Sequence, residues 1–93
     1  MTVGVCSIKL HLHGNNSLKG KRRILKSITD KTRNRFNVSI AEIDAHDKLQ
    51  SIGLGVAVIS NDRRYTNAVL NKIVDFIDGI NLAKIVDYKI EIM

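Results

Sequence analysis

Proline is absent from the chain, and only one cysteine occurs in 93 residues. Without proline, and without any Ser/Gly-rich run, nothing in the pattern marks a linker or low-complexity tail. A lone Cys6 excludes an internal disulfide and a cysteine-cluster metal site, and fits a reducing cytoplasm. Long apolar runs are missing too, far short of the ~20 residues a membrane span needs. The first residues, VGVCSIKLHLH, alternate apolar with polar or small. They have neither the continuous apolar block nor the cationic start of a signal peptide. Acids are scarce in one place above all. Ser17 to Phe36, SLKGKRRILKSITDKTRNRF, holds eight bases against the single Asp30, a net charge of +7. The remaining 73 residues carry seven bases and eight acids, a net −1. A charge so localised is the footprint of a polyanion partner, whereas scattered charge serves solubility.

What is present is a 44% hydrophobic chain of a length for one domain with a two-layer core, residues 1–93. Thr2–Leu12 alternates Cys6, Ile8, Leu10 and Leu12 with Ser7, Lys9 and His11, the period of a strand. Gly14-Asn15-Asn16 breaks it, and Ser17 is a good N-cap. From Leu18 the period becomes helical, with Leu18, Leu25, Ile28, Thr32 and Phe36 on one arc and Asn37 as a stop. Val38–Asp44 reads as a second strand, Ala45–Gln50 as a polar loop, and Ser51–Ser60 as a third strand with Gly53 and Gly55 on one face. Asn61-Asp62 caps a second helix to about Asp78, on which Tyr65, Val69, Ile73 and Phe76 face the core and Gly79 supplies the C-terminal cap. Lys84–Met93 alternates again. The order β-α-β-β-α-β predicts an α+β, ferredoxin-like two-layer sandwich: a four-stranded antiparallel sheet with both helices on one face.

The first helix carries the candidate site. Arg22, Lys26 and Arg33 lie within about 40° on the helical wheel, widened by Lys19 and Arg23. Lys21 and Arg35 fall toward the apolar arc. Four bases in the first two turns oppose the helix dipole. That misplacement makes sense if an anion sits there, so Ser17, Lys19 and Lys21 form a candidate anion pocket with the free amides of the first turn. Gly20 in a helix costs about 1 kcal/mol against Ala and permits close backbone approach. Arg63 and Arg64, after the second cap, extend the basic surface. A plain solvated basic helix is the competing reading, and the near absence of acids argues against it.

Other features carry less. His11, His13 and Asp44-Ala45-His46-Asp47 have the residue types of a metal site, but lie on segments that need not meet; polar loop ends are the default. Cys6 sits among core positions, a buried small hydrophobe rather than a nucleophile. No motif for a cofactor is present. Val3, Val5, Val56 and Val58 would leave the open sheet face partly apolar, the mark of a partner site and here of a homodimer.

The run SLKGKRRILKSITDKTRNRFNVSIAEIDAHD, followed by GVAVISND and the terminal IEIM, resembles the YlxP-like family across nearly the whole chain. SLKGKRR, the RNRFNVS-AE-D junction and the helix cap are specific when they occur together in this order. The resemblance implies a ferredoxin-like fold. Family genes commonly lie beside those for transcription termination, translation initiation and ribosome maturation, which implies a role around RNA or the small ribosomal subunit. Many members carry an acid where this chain has Gly20. The family brings no catalytic residues with it.

The expectation is therefore a non-catalytic RNA-binding protein that contacts phosphate backbone. Strands one and three hold no aromatic for base stacking on the sheet, as RNA-recognition motifs use. An acylphosphatase-type enzyme would need a glycine-rich loop ending in Arg, and HGNNSLKG has no Arg. A dimeric structural or regulatory module, its basic helix meeting an acidic protein, is the second reading.

Overall fold

A computed structural model describes all 93 residues. The elements are β1 (Thr2–His11), α1 (Leu18–Arg35), β2 (Ser39–Asp44), β3 (Ser51–Ser60), α2 (Arg63–Ile80) and β4 (Lys84–Ile92). The strands form one antiparallel sheet in the order β2-β3-β1-β4. This is the ferredoxin-like β-α-β-β-α-β arrangement.

The core follows from the register. Cys6 pairs with Val56, Ile8 with Leu54 and Leu10 with Ile52, so these six side chains share one face. That face joins Ile28 of α1 and Leu70, Ile73 and Ile77 of α2 in a single buried cluster, so both helices cover the same side of the sheet. Gly4 lets α2 approach β1 closely. A Cβ there would collide with Thr66 and would lie 2.8 Å from Leu70 Cδ1.

Register also corrects the reading of the open face. Val56 and Val58 point into the core. Val3 and Val5 are outward, opposite Ile59 and Ala57. Which strand residues share a face with β1 depends on its pairing with β3, which alternation within one strand leaves undefined. Gly53 and Gly55 do share the open face, and the space above them is used. Ile43 and Asp44 fold over them where β2 shifts register between Glu42 and Asp44.

Two helix readings change. Ser17 caps α1, its hydroxyl accepting from the Gly20 amide at 3.0 Å. The carboxylate of Asp62 caps α2 by accepting from Arg64 N. The second helix, however, runs past Gly79 to a left-handed C-cap at Asn81, φ 62°. Asn tolerates that conformation almost as glycine does. Tyr65, expected in the core, is 56% exposed. It sits in the first turn of α2, where the adjacent Thr66 is the residue that packs onto the sheet at Gly4.

Candidate nucleic-acid interface

Helix α1 buries Ile28, Thr29 and Thr32 and turns Lys19, Arg22, Arg23, Lys26 and Arg33 outward, all exposed. The long stems of these side chains can lie along the helix while their charged ends stay in water. Arg22, Lys26, Asp30 and Arg33 form one wall of an open groove of about 430 Å³, and Ala41 and Glu42 of edge strand β2 form the other. The one acid of the segment is already engaged. Asp30 accepts from Lys26 Nζ at 2.8 Å and lies 3.9 Å from Arg33. Arg33 also donates to the Ile40 carbonyl at 2.7 Å, covering part of the sheet edge. Lys19, Arg22 and Arg23 make no ion pair at all. Exposed pairs such as Lys26–Asp30 contribute under about 1 kcal/mol, so a phosphate can displace them.

The anion pocket expected at the helix start is not formed. Lys21 is 2% exposed and turned inward. Its ammonium donates to the carbonyls of Ala45 at 2.5 Å and Lys48 at 2.7 Å, and lies 3.1 Å from Glu42 Oε2. That last contact is out of hydrogen-bond alignment, so its attraction is that of charge alone. Asn15 occupies the remaining space. Its amide donates to the carbonyls of Ser17 at 2.9 Å and Leu49 at 2.5 Å, and its oxygen fills the position a Cβ on Gly20 would take. Gly20 thus makes room for a side chain of the same chain rather than for a phosphate. Ser17 and Lys19 remain at the surface, Ser17 as a cap and Lys19 as part of the stripe.

Arg63 and Arg64 are exposed at the start of α2 and border an open depression with Asp62, Asn67 and Ile92. The helices run antiparallel, so this start lies at the same end of the fold as the finish of α1. Arg35, which falls outside the stripe, meets Phe76 of the core-facing side of α2. Arg35 is exposed, its guanidinium carbon 5.7 Å from the centre of the Phe76 ring, within cation–π range. Phe36 meets Phe76 edge to face at 5.4 Å. Between the helices, Arg35, Phe36, Val38, Ile59, Tyr65 and Val69 line a cavity of about 190 Å³. Tyr65 follows directly on Arg63-Arg64, and that adjacency of aromatic and basic residues was the signal in the sequence.

The remaining candidates resolve by position. His11 and His13 stack edge to face with ring centres 6.2 Å apart. His46 Nε2 lies 3.7 Å from Glu42 Oε1. No three His, Cys, Asp or Glu side chains converge as metal ligands. Cys6 is buried, and burial pushes its thiol up to about 11. No helix is long and apolar enough to cross a membrane.

Comparison with known proteins bears on the whole chain. A family model described as "Protein of unknown function (DUF503)" matches residues 3–90. The chain is 37% identical over 77 residues to "Uncharacterized protein YlxP" of Bacillus subtilis (strain 168), covering 83% of this chain and 84% of that protein. Among solved structures, "Structural Genomics, protein YJCS" superposes with a TM-score of 0.52 at 10% identity, covering 96% of both chains. An acylphosphatase from Bacillus subtilis superposes at 0.49 with 13% identity, over 100% of this chain and 86% of that one.

Proposed function

We propose that this chain, which belongs to the DUF503 family of proteins of unknown function, is a cytoplasmic, non-catalytic RNA-binding protein that acts around the small ribosomal subunit or its maturation. The observation that carries this is the segregation of charge. Lys19, Arg22, Arg23, Lys26 and Arg33 project from one face of α1 while the rest of the chain is nearly neutral. Contacts from this stripe go to phosphates, whose neutralisation releases counterions. Affinity then falls steeply with salt and depends little on sequence. The ribosomal setting rests on the gene neighbourhood that the YlxP-like resemblance implies. A membrane partner fits poorly, because the apolar face of α1 is spent on the core.

Filter binding of structured RNA at about 50 and about 200 mM salt tests the reading. The expected result is tight binding at low salt that the triple substitution Lys19→Ala, Arg22→Ala, Lys26→Ala largely abolishes. Absence of binding at low salt, or binding unchanged in the triple variant, sinks it.

A second reading has its own observation. Val3, Val5, Ala57 and Ile59 lie together on the open sheet face, with Ile59 68% exposed. A dimeric regulatory module would cover that patch. Sedimentation of the parent and an Ile59→Asp variant separates the two readings, since only a dimer through this face becomes monomeric.

A further inference from the structure

The cavity at the meeting of α1 and α2 differs in chemistry from the basic stripe. Six of its eight lining residues are apolar or aromatic, among them Phe36, Val38, Tyr65 and Val69, and the other two are Asn37 and the charged Arg35. No acid lines it. Tyr65 is 56% exposed, so its ring is open to solvent at the cavity. Arg35 lines the cavity, and its guanidinium carbon lies 5.7 Å from the centre of the neighbouring Phe76 ring. Arg63 and Arg64 precede Tyr65 in the chain, and the carboxylate of Asp62 is drawn back onto the Arg64 amide as a cap. At about 190 Å³ the cavity is below the ~300–1,000 Å³ of whole-ligand sites and suits a single ring system.

We infer that this cavity holds one unpaired nucleobase of a single-stranded RNA segment, stacked on Tyr65, while Arg35, Arg63 and Arg64 hold the flanking phosphates. The inference rests on the RNA-binding reading and deepens it. Charge complementarity selects the occupant. A flat apolar group is wanted inside the cavity and anions are wanted at its mouth, and a nucleotide supplies both in one unit. Bases stack on aromatic rings without strict preference for identity, and unpaired bases are the ones free to do so. The sheet is not the platform here. The stacking residue lies on a helix, at the end of the α1 stripe, so a strand leaving a duplex bound along α1 reaches it.

The test uses the full-length protein and two oligomers of about eight nucleotides, one single-stranded RNA and one abasic with the same phosphates. The chain has two tyrosines and no tryptophan, so in a Tyr88→Phe background fluorescence reports Tyr65 alone. RNA should quench that signal and the abasic strand should not. Tyr65→Ala should weaken RNA binding about tenfold, Tyr65→Phe should restore it, and abasic binding should be equal in all three. Equal RNA affinity in Tyr65→Ala and parent, with dependence on Arg22 and Lys26 intact, overturns the base site alone. Failure of the parent to bind either oligomer overturns the RNA reading and the base site together.

Discussion

Lys21 of α1 donates to the backbone carbonyl of Lys48, 27 residues later, at 2.7 Å. A buried ammonium thus joins the first turn of the basic helix to the loop between β2 and β3. The same ammonium binds Ala45, which itself sits in the left-handed region at φ 62°.

Removing that ammonium should be expensive. Lys21→Met leaves two carbonyls without their donor and the largely buried Glu42 without its counter-charge. Breaking such a pair from one side costs about 3–5 kcal/mol. Urea unfolding followed by circular dichroism should register a loss in that range. Adding Glu42→Gln to Lys21→Met should recover part of it, because the orphaned charge goes too. Equal losses in the single and double variants would show that Glu42 is indifferent to Lys21.

Asp30 restrains the stripe that it sits in. It pairs with Lys26 and approaches Arg33. Asp30→Asn should therefore tighten RNA binding several-fold while changing stability by less than about 0.5 kcal/mol, the worth of an exposed helical pair. By contrast Arg22→Ala, at a position without a protein partner, should weaken binding and reduce the salt slope by about 0.7–0.9. A salt series on the three proteins measures both effects.

Gly4 sets how closely α2 can lie on β1. Gly4→Ala drives a methyl group into Thr66 and Leu70, both fully buried. Overpacking of this kind costs about 1–3 kcal/mol. Thermal melts should show the loss, and Leu70→Val alongside Gly4→Ala should return some of it by freeing space.

Cys6 gives a pH signature. Burial raises its folded pKa from 9.0 to about 11, so the folded state keeps the thiol neutral where the unfolded chain ionises. Its contribution to stability is full below pH 9, and it is lost as the pH rises through the interval to about 11. Cys6→Ala should flatten the decline in stability across that interval, measured by urea titration at each pH. In the native protein, thiol reagents should label Cys6 slowly even at mildly alkaline pH.

Local chemistry was legible in the sequence wherever it acts within a few residues. β3 begins and ends where the apolar run SIGLGVAVIS does, at Ser51 and Ser60, and α1 begins right after the Ser17 cap. Lys21 illustrates the opposite case. Its place on the wheel turned it toward the apolar arc, yet what it meets there are carbonyls 24 and 27 residues away, which only the fold brings near. The inward side of α2 was read correctly for Ile73 and wrongly for Tyr65. In the first turn it is Thr66 that packs onto Gly4 of β1, a close approach that only the docking of α2 on the sheet defines. Gly79 looked like a terminus because glycine is the usual stop, but Asn81 takes the left-handed turn instead.

The anchoring of α1 through Lys21 and Asn15 has a thermodynamic consequence. Basic tails that order on binding surrender about 2–5 kcal/mol of their contact energy to that ordering. Here the helix is already formed, capped and tied to the loop between β2 and β3, so its cations stand at set intervals before any ligand arrives. Association with a polyanion then calls for little heat-capacity change beyond that of the surface covered. For the proposed RNA ligand, selectivity should fall on the spacing of phosphates, because a rigid row of charges fits some backbone geometries better than others.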